Sequence, residues 1–195
     1  MSGSTQLFAI LAVCTGNVCR SPAVERLLRQ RLGPTVVVAS AGTSALVGEP
    51  IAAPMAELLA TCGADTDEFH ARLVSPQLIE AAELVLTATR AHRSLVVEMW
   101  PAAVRRTFTL REFARLLGQV DEAALPTGSP AERLRAAIPL AAAQRGWVPQ
   151  AEDDIVDPYG RDRGAYKAAF GAILPAVATI VRVATDHSSL THSDH

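Results

Sequence analysis

Residues 8–22, Phe-Ala-Ile-Leu-Ala-Val-Cys-Thr-Gly-Asn-Val-Cys-Arg-Ser-Pro, contain a strand, a loop and the start of a helix. The run Phe8–Val13 is apolar throughout, which is typical of a central parallel strand buried on both faces. Ser21 is a natural helix cap, and Pro22 suits the first turn of a helix. The segment Cys14–Ser21 is therefore predicted to follow the carboxyl end of a strand, where open α/β sheets place their sites.

The rest of the chain alternates short apolar strands with helices. The further predicted strands are Val36–Val38, Leu84–Leu86 and Thr107–Leu110. The predicted helices are one from Pro22 that ends at Gly33-Pro34, Pro54–Cys62, Ser75–Ala82, Ala91–Trp100, Arg111–Leu117, one near Pro130–Ala143, and Arg163–Ala184 with a kink at Pro175. This alternation predicts an α/β protein with a parallel sheet covered by helices on both faces.

Composition excludes several classes of function. Apolar residues make up 49% of the chain and charged residues 19%, as expected for a folded globular protein. The formal net charge of -2 and the lack of a basic run argue against nucleic-acid binding. The apolar stretch Leu7–Cys14 is too short to cross a bilayer, and no basic residue precedes it, so neither membrane insertion nor a signal peptide is expected. We therefore expect a cytoplasmic protein.

The loop after the first strand has the features of a phosphate cradle. A loop between a strand and a helix start aims backbone N–H groups inward, and the helix dipole adds positive potential at the same point. Gly16 and Asn17 tolerate the left-handed conformations that a tight cradle requires. The candidate phosphate-binding residues are Thr15, Gly16, Asn17, Val18, Cys19, Arg20 and Ser21.

The side chains of this loop indicate nucleophilic chemistry. A thiolate of Cys14 at the edge of the cradle is stabilised by the same positive potential and is ready for in-line attack on phosphorus. The guanidinium of Arg20 matches two phosphate oxygens bidentately. Ser21 is expected to donate a hydrogen bond to the sulfur as it leaves. A small buried cysteine beside an ordinary helix start would explain Cys14 alone, but not the whole string.

An acidic loop late in the chain supplies a candidate acid. The segment Asp153–Gly160, Asp-Asp-Ile-Val-Asp-Pro-Tyr-Gly, precedes the last predicted helix, and Asp157 is held extended by Pro158. A leaving alkoxide, phenolate or amine needs a proton, which an aspartic acid can deliver. From spacing alone, a helix cap or a solvated acidic loop is the slightly favoured interpretation.

The string Val13–Pro22 together with Asp157-Pro158-Tyr159 resembles the low-molecular-weight protein tyrosine phosphatase family, and Ser40-Ala41-Gly42-Thr43 matches it too. The resemblance implies a three-layer sandwich around a four-stranded parallel sheet of order 2-1-3-4. It also implies phosphomonoester hydrolysis without metal or cofactor. Within it, Cys14 corresponds to the nucleophile, Arg20 to the transition-state clamp, and Asp157 to the general acid that later serves as base.

The resemblance assigns roles to further residues. Asn17 and Ser40 correspond to residues that shape the loop. Leu46 stands where the family often has an aromatic residue, which leaves Tyr159 as the aromatic wall of the substrate pocket. Cys19 corresponds to a cysteine that can trap an oxidised nucleophile as a disulfide, although a small loop filler is an equal alternative.

Further features bear on how far the resemblance extends. Phe69 stands where many relatives have a histidine, with His70 one position on, so a polar network behind the cradle is in doubt. Residues 118–150 are an insertion relative to the family pattern. A neutral or partner-binding insertion is preferred to a lid. Cys62 is expected to be a buried helix thiol. The tail Asp186–His195 is expected to fray, which leaves one domain over 1–185.

The expected substrate is a phosphorylated protein, most plausibly on tyrosine. The alternative is a protein-arginine phosphatase. The arginine-specific branch carries Thr where this chain has Val18, and the hydroxyl that Val18 lacks is the reason to prefer tyrosine. Arsenate reduction fits poorly, because it needs two further cysteines and only Cys62 is left over. A non-catalytic binding module would need neither thiolate nor acid. Oligomeric state and physiological target stay open.

Overall fold

A computed structural model describes residues 7–147 and 153–185 of the 195-residue chain. Four strands form one parallel sheet: β1 (Phe8–Cys14), β2 (Val36–Gly42), β3 (Leu84–Thr87) and β4 (Thr107–Thr109). Their order across the sheet is β2-β1-β3-β4. The predicted fold class and strand order are therefore confirmed.

Seven α-helices lie within the described residues. They are α1 (Arg20–Leu32), α2 (Ala53–Thr61), α3 (Pro76–Ala81), α4 (Arg90–Met99), α5 (Leu110–Leu117), α6 (Pro130–Ala143) and α7 (Arg163–Ala184). Short 3₁₀ turns cover Pro101–Arg106, Glu122–Ala124 and Gln144–Gly146. The last two predicted helices have the observed bounds, and most other ends lie within about two residues of those expected.

Residues of β1 alternate between two hydrophobic cores. Ile10 and Ala12 join the larger core, which α1, α5 and α7 cover, whereas Leu11 and Val13 join the smaller one under α3 and α4. Since both faces of the strand are buried, the continuous apolar run has its physical reason.

Helix α7 is long and apolar enough, by length and composition, to cross a membrane. Its residues Ile173, Val177 and Ile180 lie fully buried in the larger core, and it packs against α1 and α5. We therefore interpret α7 as a core helix. Whether Pro175 bends it remains a prediction.

Two details at element ends differ from expectation. Helix α1 begins at Arg20 with Cys19 as its cap, and Cys19 makes no side-chain capping bond, so the prediction of Ser21 as the cap was wrong. The hydroxyl of Ser21 turns back toward the loop instead. Leu110 belongs to α5 and not to β4, because Thr109 and Glu112 form a capping box that starts the helix there.

Helix α6 of the insertion lies toward the amino edge of the sheet, whereas Arg145 of the same segment contacts Glu112 in the first turn of α5. Helix α6 packs on α5 and α7. Arg135 of α6 pairs with Glu83 just before β3 and donates to the carbonyl of Leu7 just before β1. Since these residues mark the amino ends of the strands, α6 is anchored at the edge opposite the Cys14 loop. Residues 148–150, together with the predicted fraying tail 186–195, lie outside the described residues.

Candidate active site

The loop from Cys14 to Arg20 forms one wall of a pocket at the carboxyl edge of the sheet. Cys14 closes β1 and pairs with Gly42 at the end of β2. The remaining walls come from Ser44 and Leu46, which follow β2, and from Asp157 and Tyr159, far along the chain. The structure thus brings the predicted pocket residues together with the loop.

The backbone of the loop is bonded on its carbonyl side only. The carbonyls of Thr15 and Gly16 accept hydrogen bonds from the backbone N–H groups of Ser44 and Leu46, both at 3.0 Å. The carbonyl of Val18 accepts one from Ala52 at 2.8 Å. Among the described residues, none accepts a hydrogen bond from the N–H groups of residues 15–19. Buried N–H groups are nearly always paired in proteins, so this row is suited to an anionic ligand.

Asn17 holds the loop at its centre. Its backbone is left-handed, with φ of 55°, and its side chain is fully buried. Its Nδ2 donates to Ser21 Oγ at 3.0 Å and to Ser40 Oγ at 2.9 Å. Its Oδ1 accepts the backbone N–H of Arg72 at 2.9 Å. Three separate parts of the chain are therefore tied to this one amide.

A buried carboxylate extends this network. Ser40 Oγ donates to Glu25 Oε2 at 2.6 Å, and Arg29 pairs with the same carboxylate at 3.2 Å. Phe69 stands where many relatives have a histidine. It belongs to the larger core and lies under the guanidinium of Arg26, so it adds no hydrogen bond to this network. The polar network that the sequence left in doubt exists, and Glu25 supports it. Sequence reasoning missed Glu25, although an acidic residue among the buried positions of α1 was a usable signal.

The sulfur of Cys14 lies beside the hydroxyl of Ser21. The side chain of Cys14 is buried, and its Sγ is 3.0 Å from Ser21 Oγ. Because Ser21 Oγ accepts a hydrogen bond from Asn17, its own proton can point to the sulfur. The carbonyl of Ala41, at 3.4 Å, is the weaker alternative acceptor.

Two nitrogens of the Arg20 guanidinium have hydrogen-bond partners in the protein, and the third has none among the described residues. Its Nη1 donates to the carbonyl of Ile155 at 2.9 Å, and its Nη2 contacts Asp157 Oδ2 at 2.5 Å and Thr15 Oγ1 at 3.2 Å. Its Nε is buried and has no hydrogen-bond partner among the described residues. An unpaired buried N–H next to Nη2 provides two parallel donors for an oxyanion.

The loop that carries Asp157 is fixed at both ends. The N–H of Ile155 donates to the carbonyl of Ala88 just beyond β3, and Asp157 Oδ1 accepts the N–H of Tyr159 at 3.2 Å. The side chain of Asp157 is 43% exposed, so its carboxylate reaches the pocket mouth. Tyr159 is 56% exposed and supplies an aromatic edge to that mouth.

The structure also adds His92, which the sequence did not indicate. This residue lies near the start of α4, and its ring contacts the hydroxyl of Thr15 at 2.9 Å. Burial, together with the positive charge of Arg20, lowers the pKa of His92 to about 4.

The other two cysteines occupy different environments. Cys19 is buried with its Sγ 3.9 Å from the hydroxyl of Tyr166, and burial raises the pKa of the Cys19 thiol to about 12. Cys62 was expected in a buried helix, but it follows the last residue of α2 and is half-buried. The helix stops there because Gly63 turns the chain with φ of 68°. Within residues 7–147 and 153–185, no group of three or more metal-ligating side chains is assembled.

A Cys-x5-Arg loop at the end of a central parallel strand, facing an aspartate from a late loop, defines a cysteine-dependent phosphatase. The family model described as low molecular weight phosphotyrosine protein phosphatase matches residues 9–130. The chain belongs to this family.

Known proteins agree with this assignment. The chain is 37% identical over 130 residues to the protein-arginine-phosphatase of Geobacillus stearothermophilus, covering 67% of this chain and 86% of that protein. It is 30% identical over 165 residues to the low molecular weight protein-tyrosine-phosphatase Etp of Escherichia coli (strain K12), covering 85% and 86%. The structure of Vibrio vulnificus Wzb in complex with benzylphosphonate superposes with a TM-score of 0.65 at 26% identity, covering 90% of this chain and 97% of that one.

We expect Gly42→Ala to deform the loop. A Cβ at this position would lie 2.3 Å from the carbonyl oxygen of Thr15 and 3.0 Å from the backbone N of Asn17, and neither is a flexible side chain. Overpacking of this kind costs about 1–3 kcal/mol or more of the free energy of unfolding, measurable by urea denaturation. Phosphatase activity should fall with it.

Gly171→Ala is the matched control, because a Cβ there meets nothing within 4 Å in α7. Replacing a helical glycine with alanine should stabilise the protein by about 0.5–1 kcal/mol. Equal unfolding free energies for the two variants would contradict the close approach of β2 to the loop.

Proposed function

We propose that this protein removes phosphate from phosphorylated proteins through a cysteinyl-phosphate intermediate. The observation that carries the proposal is the row of N–H groups at residues 15–19 with no acceptor among the described residues, directly beside Cys14 Sγ. A phosphate dianion satisfies such a row, and the start of α1 adds favourable potential.

Arg20 is the proposed clamp. Its buried Nε and its Nη2 form one edge of the guanidinium, which can grip two phosphate oxygens in parallel. The bond from Nη1 to the carbonyl of Ile155 fixes the opposite side, so the clamp is oriented before the substrate arrives. Charge that spreads onto those oxygens in the transition state is stabilised by this edge.

In the first step Cys14 Sγ attacks phosphorus in line with the leaving oxygen. The S–P bond forms as the P–O bond breaks, and the electron pair of that bond goes to the oxygen. Once the phosphate replaces Asp157 on Arg20, the carboxyl group of Asp157, protonated from solvent, turns to this oxygen and delivers that proton to it. The partial exposure of its side chain leaves room for that movement.

In the second step water attacks the phosphorus of the cysteinyl phosphate. Asp157, now without its proton, takes one from the water, and the S–P bond breaks with its electron pair returning to sulfur. The hydroxyl of Ser21, 3.0 Å from Sγ, stabilises the departing thiolate. Inorganic phosphate and the starting thiolate are the products.

Phosphotyrosine is the proposed substrate. The pocket mouth is lined by Val18, Leu46 and the exposed ring of Tyr159, which suit an aromatic ring. Among the described lining residues Asp157 is the only acid, and it faces Arg20, so the guanidinium of a phosphoarginine has no carboxylate of its own. Because the chain is similar to the protein-arginine-phosphatase of Geobacillus stearothermophilus, phosphoarginine is the alternative substrate to be tested.

We further propose a cytoplasmic protein whose residues 1–185 form one domain, with 118–150 as an insertion. The packing of α6 on α5 and α7 supports the single domain. Its anchor at the amino ends of β1 and β3 supports a structural or partner-binding insertion over a lid. The net charge of -2 supports a protein substrate over a nucleic acid.

Asp157→Asn should lower kcat/KM, which reports the first step alone, by about 10²–10⁴-fold for phenyl phosphate, since phenolate leaves poorly without a proton. For p-nitrophenyl phosphate the loss should be much smaller, because nitrophenolate needs no proton. Steady-state kinetics without added metal measure both, and Cys14→Ser should be inactive with either substrate.

Asp154→Asn is the matched control in the same loop. Asp154 is exposed and accepts the N–H of Arg90, which an asparagine oxygen can also do. This variant should keep near wild-type kcat. A loss of kcat/KM from Asp157→Asn that is the same for both leaving groups would remove Asp157 as the acid. A Cys14→Ser variant as active as wild type would remove the cysteinyl-phosphate mechanism, and a wild type inactive with both substrates would leave only a binding module.

Two peptides of one sequence, carrying phosphotyrosine or phosphoarginine, separate the two substrate classes. We expect kcat/KM to be about tenfold or more higher for phosphotyrosine, because stacking on Tyr159 contributes about 0.5–1.5 kcal/mol and the pocket offers the guanidinium no separate carboxylate. Tyr159→Leu should narrow this preference. Faster hydrolysis of the phosphoarginine peptide would establish the alternative.

A further inference from the structure

His92 is a buried titratable side chain that the proposed chemistry does not use and that contacts the catalytic loop. It is 7% exposed. Its Nε2 lies 2.9 Å from Thr15 Oγ1, and its Nδ1 lies 2.7 Å from the hydroxyl of Thr89, the cap of α4. Each ring nitrogen therefore has one hydroxyl partner, and the two partners come from different strand ends.

The direction of these hydrogen bonds follows from Arg20. A guanidinium only donates, so Thr15 Oγ1 accepts from Arg20 Nη2 at 3.2 Å. The hydroxyl of Thr15 keeps its own proton, which it can donate to His92 Nε2 when that nitrogen is unprotonated. In that neutral tautomer the ring proton sits on Nδ1 and is donated to Thr89 Oγ1.

The surroundings of the ring favour its neutral form. Burial, and after it the nearby charge of Arg20, lowers the pKa of His92 to about 4, while the carboxylates of Asp157 and Asp154 oppose the shift. The ring is therefore neutral at neutral pH, with one nitrogen able to accept a hydrogen bond. With Nε2 as that acceptor, the chain of hydrogen bonds from Arg20 through Thr15 and His92 to Thr89 runs in a single direction.

The chain of hydrogen bonds from Arg20 to Thr89 becomes important when Asp157 moves from Arg20 to the leaving oxygen. Among the described residues, Asp157 and Thr15 are the side chains bonded to Arg20 Nη2. Once Asp157 turns to the leaving oxygen, Thr15 is the one described side chain that remains on that nitrogen. If the Thr15 hydroxyl rotated freely, its lone pairs would not be aimed at Nη2.

We infer that His92 is a positioning residue for the phosphate clamp: by accepting the proton of Thr15, its ring aims a lone pair of that hydroxyl at Arg20 Nη2. The inference rests on the proposed function, because it takes Arg20 as the clamp. His92 touches no reacting atom and acts only through Thr15.

A double-mutant cycle tests the inference with p-nitrophenyl phosphate. His92→Leu should lower kcat by about 10- to 100-fold with KM changed by less than about threefold, because a misplaced clamp weakens transition-state contacts most. Thr15→Val should give a similar loss. The double variant should be no worse than either single one, since both break the same chain.

A matched set of variants excludes a merely structural role. His92→Gln offers an amide oxygen to Thr15 and should recover most of the kcat lost in His92→Leu. Leu95→Ala changes an exposed residue one turn further along α4 and should leave kcat unchanged. Thermal melts of all variants report the fold. The inference would be overturned if the double variant lost kcat by the product of the two single losses. It would also be overturned if His92→Leu kept kcat within twofold of wild type.

Imidazole ¹⁵N NMR of the wild-type protein at neutral pH tests the same inference without a substitution. The proton should be on Nδ1 and absent from Nε2; a proton on Nε2 would overturn the role of His92. Failure of the proposed function is distinguishable, because it would show as an inactive wild type in the same assay. That result would overturn the clamp and the role of His92 together.

Discussion

The geometry of the catalytic loop depends on the buried amide of Asn17. A left-handed backbone is costly for most residues with a side chain, and asparagine is one of the few that adopts it readily. A buried amide is also costly unless its donors and acceptor are satisfied. Here the partners are Ser21, Ser40 and the backbone of Arg72, so the strain of the loop is supported from α1, from β2 and from the segment before α3.

The same support leaves the other side of the loop available. The carbonyls of Thr15, Gly16 and Val18 bond to the chain that follows β2. Because each peptide unit is planar and trans, the N–H groups of the residues that follow them point away from those contacts. Arg20, in turn, carries a buried positive charge that needs a negative partner. Asp157 supplies it now, and a phosphate dianion can replace Asp157 on the same nitrogen. Binding and acid catalysis are thereby coupled through one guanidinium.

Much of the fold could be predicted from the sequence, because local signals agreed with one another. The apolar run at Phe8–Val13 and the capping residues of the helices fix the element order, and the strand order followed from the resemblance. The cap at Ser21 was wrong because its hydroxyl serves Cys14, a tertiary contact that overrides a local preference. Cys62 was misplaced because one glycine ends α2 a residue earlier than expected.

The candidate site was likewise predictable from the sequence only in part. Cys14 and Arg20 stand in one contiguous motif, but Asp157 is 137 positions from Arg20, and its proximity needed either the resemblance or the fold. Glu25 was missed although its acidic side chain stands among the buried positions of α1, because its partner Ser40 lies on another element. The role of His92 depends on its contact with Thr15, 77 positions away, and a single histidine on a helix carries no pattern that points to that contact.

The covalent intermediate on Cys14 is the most direct test of the central claim. Asp157→Ala, mixed with excess p-nitrophenyl phosphate and quenched in acid within one turnover, should accumulate phosphoenzyme, because nitrophenolate leaves without the acid while the general base for breakdown of the intermediate is missing. Peptide mass spectrometry should then place the phosphate on Cys14. A wild type that turns over while no phosphate is trapped on the enzyme, or phosphate found on Cys19 or Ser21, would contradict the account.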